Sequence, residues 1–413
     1  MTELSLRVAA RDRPWSPDPV SGPVQSASSA VAARRLVAID LLRGLVMILM
    51  ALDHTRDFFG ASGMDPRDVH DPALFLTRWV THFCAPVFIF LAGISAWLYG
   101  ARGRSTGELS RFLLTRGFWL IVLEFTVVRL GWTFSLEPSF LVTQVIWAIG
   151  VSMVALAALV HLPRWAVTAL ALIMIAGHNA LDGIEAANFG AAAWVWNLLH
   201  EPALLELGPG VSLFALYPLI PWIGVMAAGY CLGPVFAIDD PAARRRRLLG
   251  LGIAVTAGFV LLRASNLYGD PAPWALDQGW SATVLSFLNC EKYPPSLLYL
   301  MMTLGPALIL LVAFEGAAGP VARWLTVFGS VPLFYYVLHL FLIHGLAVAF
   351  AQFTTGQSAW LLGGFPSERP SGYGLGLPEV YLVTLLIVMM LYAPCRWFAA
   401  TKRSGSGWWW SYL

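Results

Sequence analysis

From residue 36 onward the chain consists of long apolar runs separated by short polar stretches. A bilayer-spanning helix needs about 20 mostly apolar residues. Ten stretches have that character, roughly 36–59, 79–100, 112–134, 140–160, 164–181, 212–236, 248–267, 295–314, 324–350 and 379–398. The pattern predicts an all-α polytopic membrane bundle of about ten transmembrane helices. Only His161, Leu162 and Pro163 separate the fourth and fifth runs, which predicts a tight helical hairpin. The run 324–350 exceeds one span and is expected to tilt or break. Three connections are long, 182–211, 268–294 and 351–378. They carry Trp194, Trp196, Trp274, Trp280 and Trp360, a residue type that anchors chains at membrane interfaces. Within the first of them, AAAWVWNLLH (191–200) reads as a short helix on the surface.

Basic residues favour the cytoplasmic side of short loops. With the N-terminus in the cytoplasm, 18 Lys and Arg residues fall on the cytoplasmic side and 6 on the other, while Arg43 and Arg129 lie inside helices. Both termini are therefore expected in the cytoplasm. Residues 1–33 are rich in Ser, Ala, Pro and Arg and lack an apolar core. They are expected to form a disordered cytoplasmic arm rather than a cleaved signal peptide. Residues 34–400 form one transmembrane domain, and 401–413 a Trp-rich cytoplasmic tail. Composition agrees: of 413 residues 58% are hydrophobic and 12% charged, against about 25% charged in soluble proteins. A net charge of +2 from 26 basic and 24 acidic residues gives no reason to expect nucleic acid as a partner. Four cysteines do not make a disulfide scaffold.

Ionisable groups inside a membrane helix are costly and usually have a partner or a task. In RLVAIDLLRGLVMILMALDHTRDFFG, at about 100° per residue, Asp40, Arg43, Asp53, His54 and Asp57 share an arc of about 140°. Arg56 falls outside that arc. Asp40 and Arg43 are spaced as an ion pair at the cytoplasmic end, and Asp53, His54 and Asp57 gather at the outer end. In TRWVTHFCAPVFIFLAGISAWL (77–98), Arg78 and His82 share one face just above Pro86, which can kink the helix. This places His54 and His82 at one membrane level beside two carboxylates, as general-base chemistry requires. His54, Asp57 and His82 are also conceivable metal ligands, but the spacing has no metal signature and no metal is expected. Glu124 and Arg129 are expected to find partners on other helices. Tyr335 and His339 are spaced i,i+4 in VPLFYYVLHLFLIHG, near Tyr336 and His344. Lys292, in the last long connection before the eighth run, is a candidate for holding an anionic group.

The runs RLVAIDLLRGLVMILMALDHTRDFF and LFLTRWVTHFCAPVFIFLAG resemble bacterial membrane proteins grouped with the catalytic domain of heparan-α-glucosaminide N-acetyltransferase. KYPPSLLYLMMTLGPALILL and FGSVPLFYYVLHLFLIH resemble the same group, so the likeness extends over about residues 34–350. It implies a multi-spanning acyltransferase of a bacterial inner membrane that takes an acetyl group from cytosolic acetyl-CoA. In the lysosomal relative a catalytic His precedes the second helix and an Asp lies within it. In register on Pro86 and Gly93, the Asp position is His82, and the His position falls at about Pro72, beside His70 and Asp71. Where this chain has His54 the relative has Asn.

The chemistry expected from this likeness is attack of an amine or hydroxyl on a thioester carbonyl. His82 is assigned as base, His54 as its aid, and Asp53 or Asp57 as the orienting carboxylate. Arg43, Arg78, Asp40, Lys292, Tyr335 and His339 are substrate-binding candidates. Arg102, Arg104, Arg111, Arg116 and Arg244 to Arg247 are candidates for the phosphates of acyl-CoA. Expected partners are acyl-CoA, a glycan or other cell-envelope acceptor, the bilayer and a second copy of the chain. The rival readings are a small-molecule transporter and a non-catalytic scaffold.

Overall fold

The computed structural model describes residues 27–277, 279–364 and 369–404, with side chains from residue 37 onward. Most of the expected N-terminal arm and the Trp-rich tail lie outside the described residues. Helix α1 spans Ala27–Phe59, so its first turns enter the stretch expected to be a disordered arm. After a loop come α2 (Pro72–Thr81) and α3 (Cys84–Gly100), then α4 (Thr106–Leu123), a π-helical turn at Glu124–Val128, and α5 (Arg129–Thr133). Helices α6 (Val145–Leu159) and α7 (Arg164–Gly177) form the hairpin implied by the three-residue gap. The short α8 (Ala193–Leu199) falls within the segment read as a surface helix. The remaining helices are α9 (Leu219–Leu232), α10 (Pro241–Ser265), α11 (Trp280–Leu288), α12 (Leu297–Phe314), α13 (Pro320–Ser330), α14 (Pro332–Thr355) and α15 (Leu377–Ser404).

Among the described residues, seven helical stretches are long and apolar enough to cross a membrane. The other three expected runs are helical as well. Charged residues interrupt α1 and α4, and α6 is only 15 residues long. The run 324–350 breaks where Ser330 ends α13 and Pro332 opens α14. A three-stranded sheet was not anticipated: β1 (Phe140–Val142) pairs in parallel with β3 (Val211–Ala215), which pairs antiparallel with β2 (Ala203–Gly208). Its strands take the first residues of two runs assigned to helix, because strands this short leave no periodicity to read.

Local chemistry sets the helix starts. Asp71, Ser105, Asp240 and Ser296 cap α2, α4, α10 and α12, and Pro241 occupies the first position of α10. The gap between α2 and α3 follows from Pro86. Proline has no N–H to offer the carbonyl four residues back, which is that of His82. That carbonyl accepts instead from Tyr299 Oη on α12 at 2.8 Å.

Glycines let the helices cross backbone to backbone. A Cβ on Gly93 of α3 would lie 2.0 Å from the Met226 carbonyl oxygen of α9, and one on Gly229 would lie 2.1 Å from that of Phe90. Gly44 of α1 and Gly329 of α13 meet in the same way, with a Cβ on Gly329 1.8 Å from Asp40 O. Overpacking costs about 1–3 kcal/mol, sometimes more. Gly93→Ala and Gly229→Ala should therefore each destabilise the protein by at least ~1 kcal/mol in reversible unfolding in mixed micelles. Gly107→Ala, where nothing lies within 4 Å, should be neutral or stabilising.

Candidate functional site

The C-terminal end of α1 carries the ion cluster from which the site is built. Arg56 Nη2 donates to Asp53 Oδ1 at 2.6 Å and to Asp57 Oδ1 at 3.0 Å. Thr81 Oγ1 at the end of α2 donates to Asp53 Oδ1 at 2.9 Å. Helical-wheel arithmetic had left Arg56 outside the polar stripe. Its long side chain reaches back along the helix and answers both carboxylates, which a projection of Cβ directions does not show.

Beside this cluster is a cavity of about 320 Å³. Asp53, His54 and Asp57 line one side; Thr81, Cys84 and Phe88 come from the α2–α3 junction. Trp132 of α5, Gln144, Tyr217, Tyr336 and Arg369 close the remainder, with Lys292 and Tyr293 from the 266–296 connection. The sheet sets part of this rim. Thr143 N donates to Phe214 O at 3.0 Å and Thr143 Oγ1 accepts from Leu216 N at 3.1 Å, just before Gln144 and Tyr217. Glu124 is buried in the π-helical turn and accepts from Trp147 N at 2.8 Å, capping the start of α6. Arg129 donates to Glu137 O at 2.7 Å. Glu124 thus finds its partner on another helix, as expected, whereas Arg129 bonds the loop that follows its own helix.

Lys292 is presented by a loop organised around buried Arg263, which donates to the carbonyls of Ala272, Ser286, Phe287 and Asn289. Asp270 then accepts from Glu291 N at 2.9 Å and Ser296 Oγ at 2.6 Å, and Glu291 Oε1 from Lys292 N and Tyr293 N, both at 3.0 Å. Burial alone would lower the Lys292 ammonium. The facing Tyr293 oxygen and the Asp53 carboxylate hold it above the usual lysine value, so it stays a cation. Arg369 straps the connection between α14 and α15 to the end of α1 through the carbonyls of Asp57, Gly60 and Ala61.

A second cavity, of about 610 Å³, lies at the other end of the bundle. Asp40, Arg43, Arg102, Arg104, Arg116 and Lys402 line it around a deeper apolar wall that includes Met47, Ala92, Leu120 and Ile149. Asp40 and Arg43 pair at 2.9 Å, as their spacing implied. Arg43 also reaches Ser95 Oγ at 3.1 Å and Gly329 O at 3.3 Å. Four residues, Met50, Phe88, Val145 and Tyr336, line both cavities.

His54 belongs to the smaller cavity, but His82 does not. His82 is 1% exposed, neither ring nitrogen has a hydrogen-bond partner, and its ring packs edge-on against Tyr299 with centroids 5.3 Å apart. Thr81, Cys84 and Phe88 share the face that lines the cavity, and His82, one residue on from Thr81, falls about 100° off it. Arg78 does not line the cavity either. The set His54, Asp57 and His82 is consequently not brought together as metal ligands. His54 pairs instead with His339 of α14, with Nδ1 and Nε2 2.8 Å apart. Tyr335 is buried and stacks on His339, while its neighbour Tyr336 reaches the cavity wall. His70 faces Asp277 at 3.5 Å, Asp71 caps α2, and neither lines a cavity. Of the arginines proposed for phosphates, Arg244 is spent on a buried bidentate pair with Glu315, at 2.7 and 3.2 Å.

A family model described as heparan-alpha-glucosaminide N-acetyltransferase, catalytic, matches residues 35–261, more than half of the chain. His54, Asp53, Arg102, Arg104 and Arg116 lie inside that match, whereas Lys292, Tyr336, His339 and Arg369 lie beyond it. No curated protein matches the chain.

Breaking a buried ion pair by removing one partner costs about 3–5 kcal/mol. With Asp53 18% and Asp57 43% exposed, solvent screens the stranded carboxylates, and Arg56→Met should lower unfolding stability by less, about 1–3 kcal/mol. Adding Asp53→Asn and Asp57→Asn should recover part of the loss, because the stranded charges are then gone.

Proposed function

Because the chain belongs to the heparan-alpha-glucosaminide N-acetyltransferase catalytic family, we propose that it is a membrane-embedded acyltransferase crossing the bilayer about ten times, with both termini in the cytoplasm of a bacterial cell. It takes an acetyl or other acyl group from acyl-CoA at its basic, cytoplasmic end. It delivers the group to an amine or hydroxyl of a sugar or other cell-envelope acceptor at its outer end. The observation that carries this reading is the pair of cavities at opposite ends of the bundle that meet at Met50, Phe88, Val145 and Tyr336.

The larger cavity suits the donor. Arg102, Arg104, Arg116 and Lys402 supply positive charge for phosphates, and the apolar wall beyond them suits a pantetheine arm. Arg43 and His54 are separated by 11 residues of α1, about 16 Å, which a pantetheine arm spans. The smaller cavity suits a polar acceptor, with Trp132, Tyr217 and Tyr293 as flat surfaces and Lys292 and Arg369 as cations. His54 is the base in this reading, in place of His82. As the acceptor nitrogen or oxygen attacks the thioester carbonyl, its proton passes to His54. The new bond to the acyl carbon forms, the carbon–sulfur bond breaks, and the CoA sulfur leaves with the electron pair to be protonated. Tyr336, on the shared wall, is assigned the hydrogen bond to the transient oxyanion. Asp53 and Asp57 hold Arg56 rather than an imidazole, and Asp53 adds negative charge beside His54.

General-base catalysis contributes about 10²–10⁴-fold. His54→Ala in proteoliposomes should reduce transfer of labelled acetyl from acetyl-CoA by that factor and leave acetyl-CoA binding intact. Arg102→Ala combined with Arg116→Ala should weaken acetyl-CoA binding about tenfold or more, a loss of at least ~1.4 kcal/mol. A protein that binds and turns over no acyl-CoA overturns the reading. Movement of solute across the vesicle without acyl transfer would instead establish the transporter.

A further inference from the structure

We propose that His339 is the positioning residue that fixes which nitrogen of His54 is basic. This rests on the assignment of His54 as base and adds what sets its tautomer. His339 is fully buried on α14, and its Nδ1 lies 3.0 Å from Tyr335 O. A carbonyl oxygen can only accept, so His339 carries its proton on Nδ1. A neutral imidazole has one N–H, so Nε2 of His339 presents a lone pair. That lone pair faces His54 Nδ1 at 2.8 Å. Two lone pairs do not sit at that separation, and the proton between them belongs to His54 Nδ1. The lone pair of His54 is thereby assigned to Nε2, the nitrogen that His339 does not engage, on a residue that lines the outer cavity.

The rings of His54 and His339 are 12° from parallel with centroids 4.9 Å apart, and the Trp132 ring meets His54 edge-on at 4.9 Å. The imidazole is therefore held in plane as well as in tautomer. When Nε2 takes the acceptor proton, the bond from His54 Nδ1–H to His339 becomes charge-assisted and strengthens. His339 thus stabilises the protonated base without carrying charge itself, the task a carboxylate performs in a serine–histidine–aspartate triad.

The test combines ¹⁵N NMR of histidine-labelled protein in nanodiscs with acetyl-transfer kinetics, and the His54 signals are identified by their loss in His54→Ala. The wild type should show His54 protonated at Nδ1 and bare at Nε2. His339→Gln keeps a side-chain oxygen able to accept from His54. It should preserve the tautomer and hold kcat within about threefold, a small part of the general-base factor. His339→Leu should yield a mixture of tautomers, shift the limb of the pH–rate profile that reports the base, and lower kcat about 10–100-fold. KM for acetyl-CoA should stay within about twofold, because His339 does not itself line the donor cavity. If His339→Leu does not fold, the wild-type and His339→Gln spectra decide the matter. An Nε2–H tautomer in an enzyme that requires His54, or an unchanged profile in His339→Leu, overturns the positioning role alone. Full turnover in His54→Ala removes the base assignment first and the role of His339 with it.

Discussion

Carrying charge on a helix through a low-dielectric bundle is the constraint on which this structure depends. Five charged residues between Asp40 and Asp57 sit on α1, and each unanswered one would cost several kcal/mol. Arg56 answers Asp53 and Asp57 within α1 itself. Arg43 needs three partners, one from α1, one from α3 and one from α13. Gly329 meets two demands at once. Its missing side chain lets α13 come within backbone contact of α1, and its carbonyl, thus exposed, accepts from Arg43. Helix α14 follows directly from α13 and brings His339 and Tyr336 to the same axis. The two cavities flank α1 because the polar stripe there is wide enough to demand space that lipid-like packing would deny.

A good part of this could be read from the chain. Runs of about 20 apolar residues mark the helices, and the short gap at His161–Pro163 marks the hairpin. The i,i+3 spacing of Asp40 and Arg43 marks their pair, and Pro86 marks the kink. The resemblance of the first two runs pointed to the family that the match over residues 35–261 establishes. What stayed hidden has specific causes. His54 and His339 are 285 residues apart, and no local pattern couples them. His82 has the spacing of a site residue, but the cavity meets the face of Thr81, Cys84 and Phe88 while the His82 ring packs on Tyr299, and which face of a helix meets a site is decided by its neighbours. Tyr335 and Tyr336 are adjacent, and a rotation of 100° decides which meets the cavity. Arg56 and Arg369 act through long side chains that reach well past their own positions.

The loops contribute by fixing backbone rather than by covering the site. Arg263 in the last turn of α10 saturates four carbonyls of one connection and so sets the approach of Lys292. The small sheet does the same for Gln144 and Tyr217, and the strap through Arg369 for the end of α1. Such placement ties the backbone of the cavity rim to the helices below it. A site whose geometry must hold to a fraction of an ångström is served by supports of this kind.

The wall formed by Met50, Phe88, Val145 and Tyr336 also has an electrical consequence. Where water enters a membrane protein from both faces, most of the transmembrane potential falls across the dry layer that remains. A unit charge crossing 100 mV there gains or loses about 2.3 kcal/mol. Three apolar side chains and one phenol make that layer an insulator, and no ionised side chain bridges it. On the proposed reading the acyl group that crosses this layer carries no charge, and the phosphates of the donor stay outside the field.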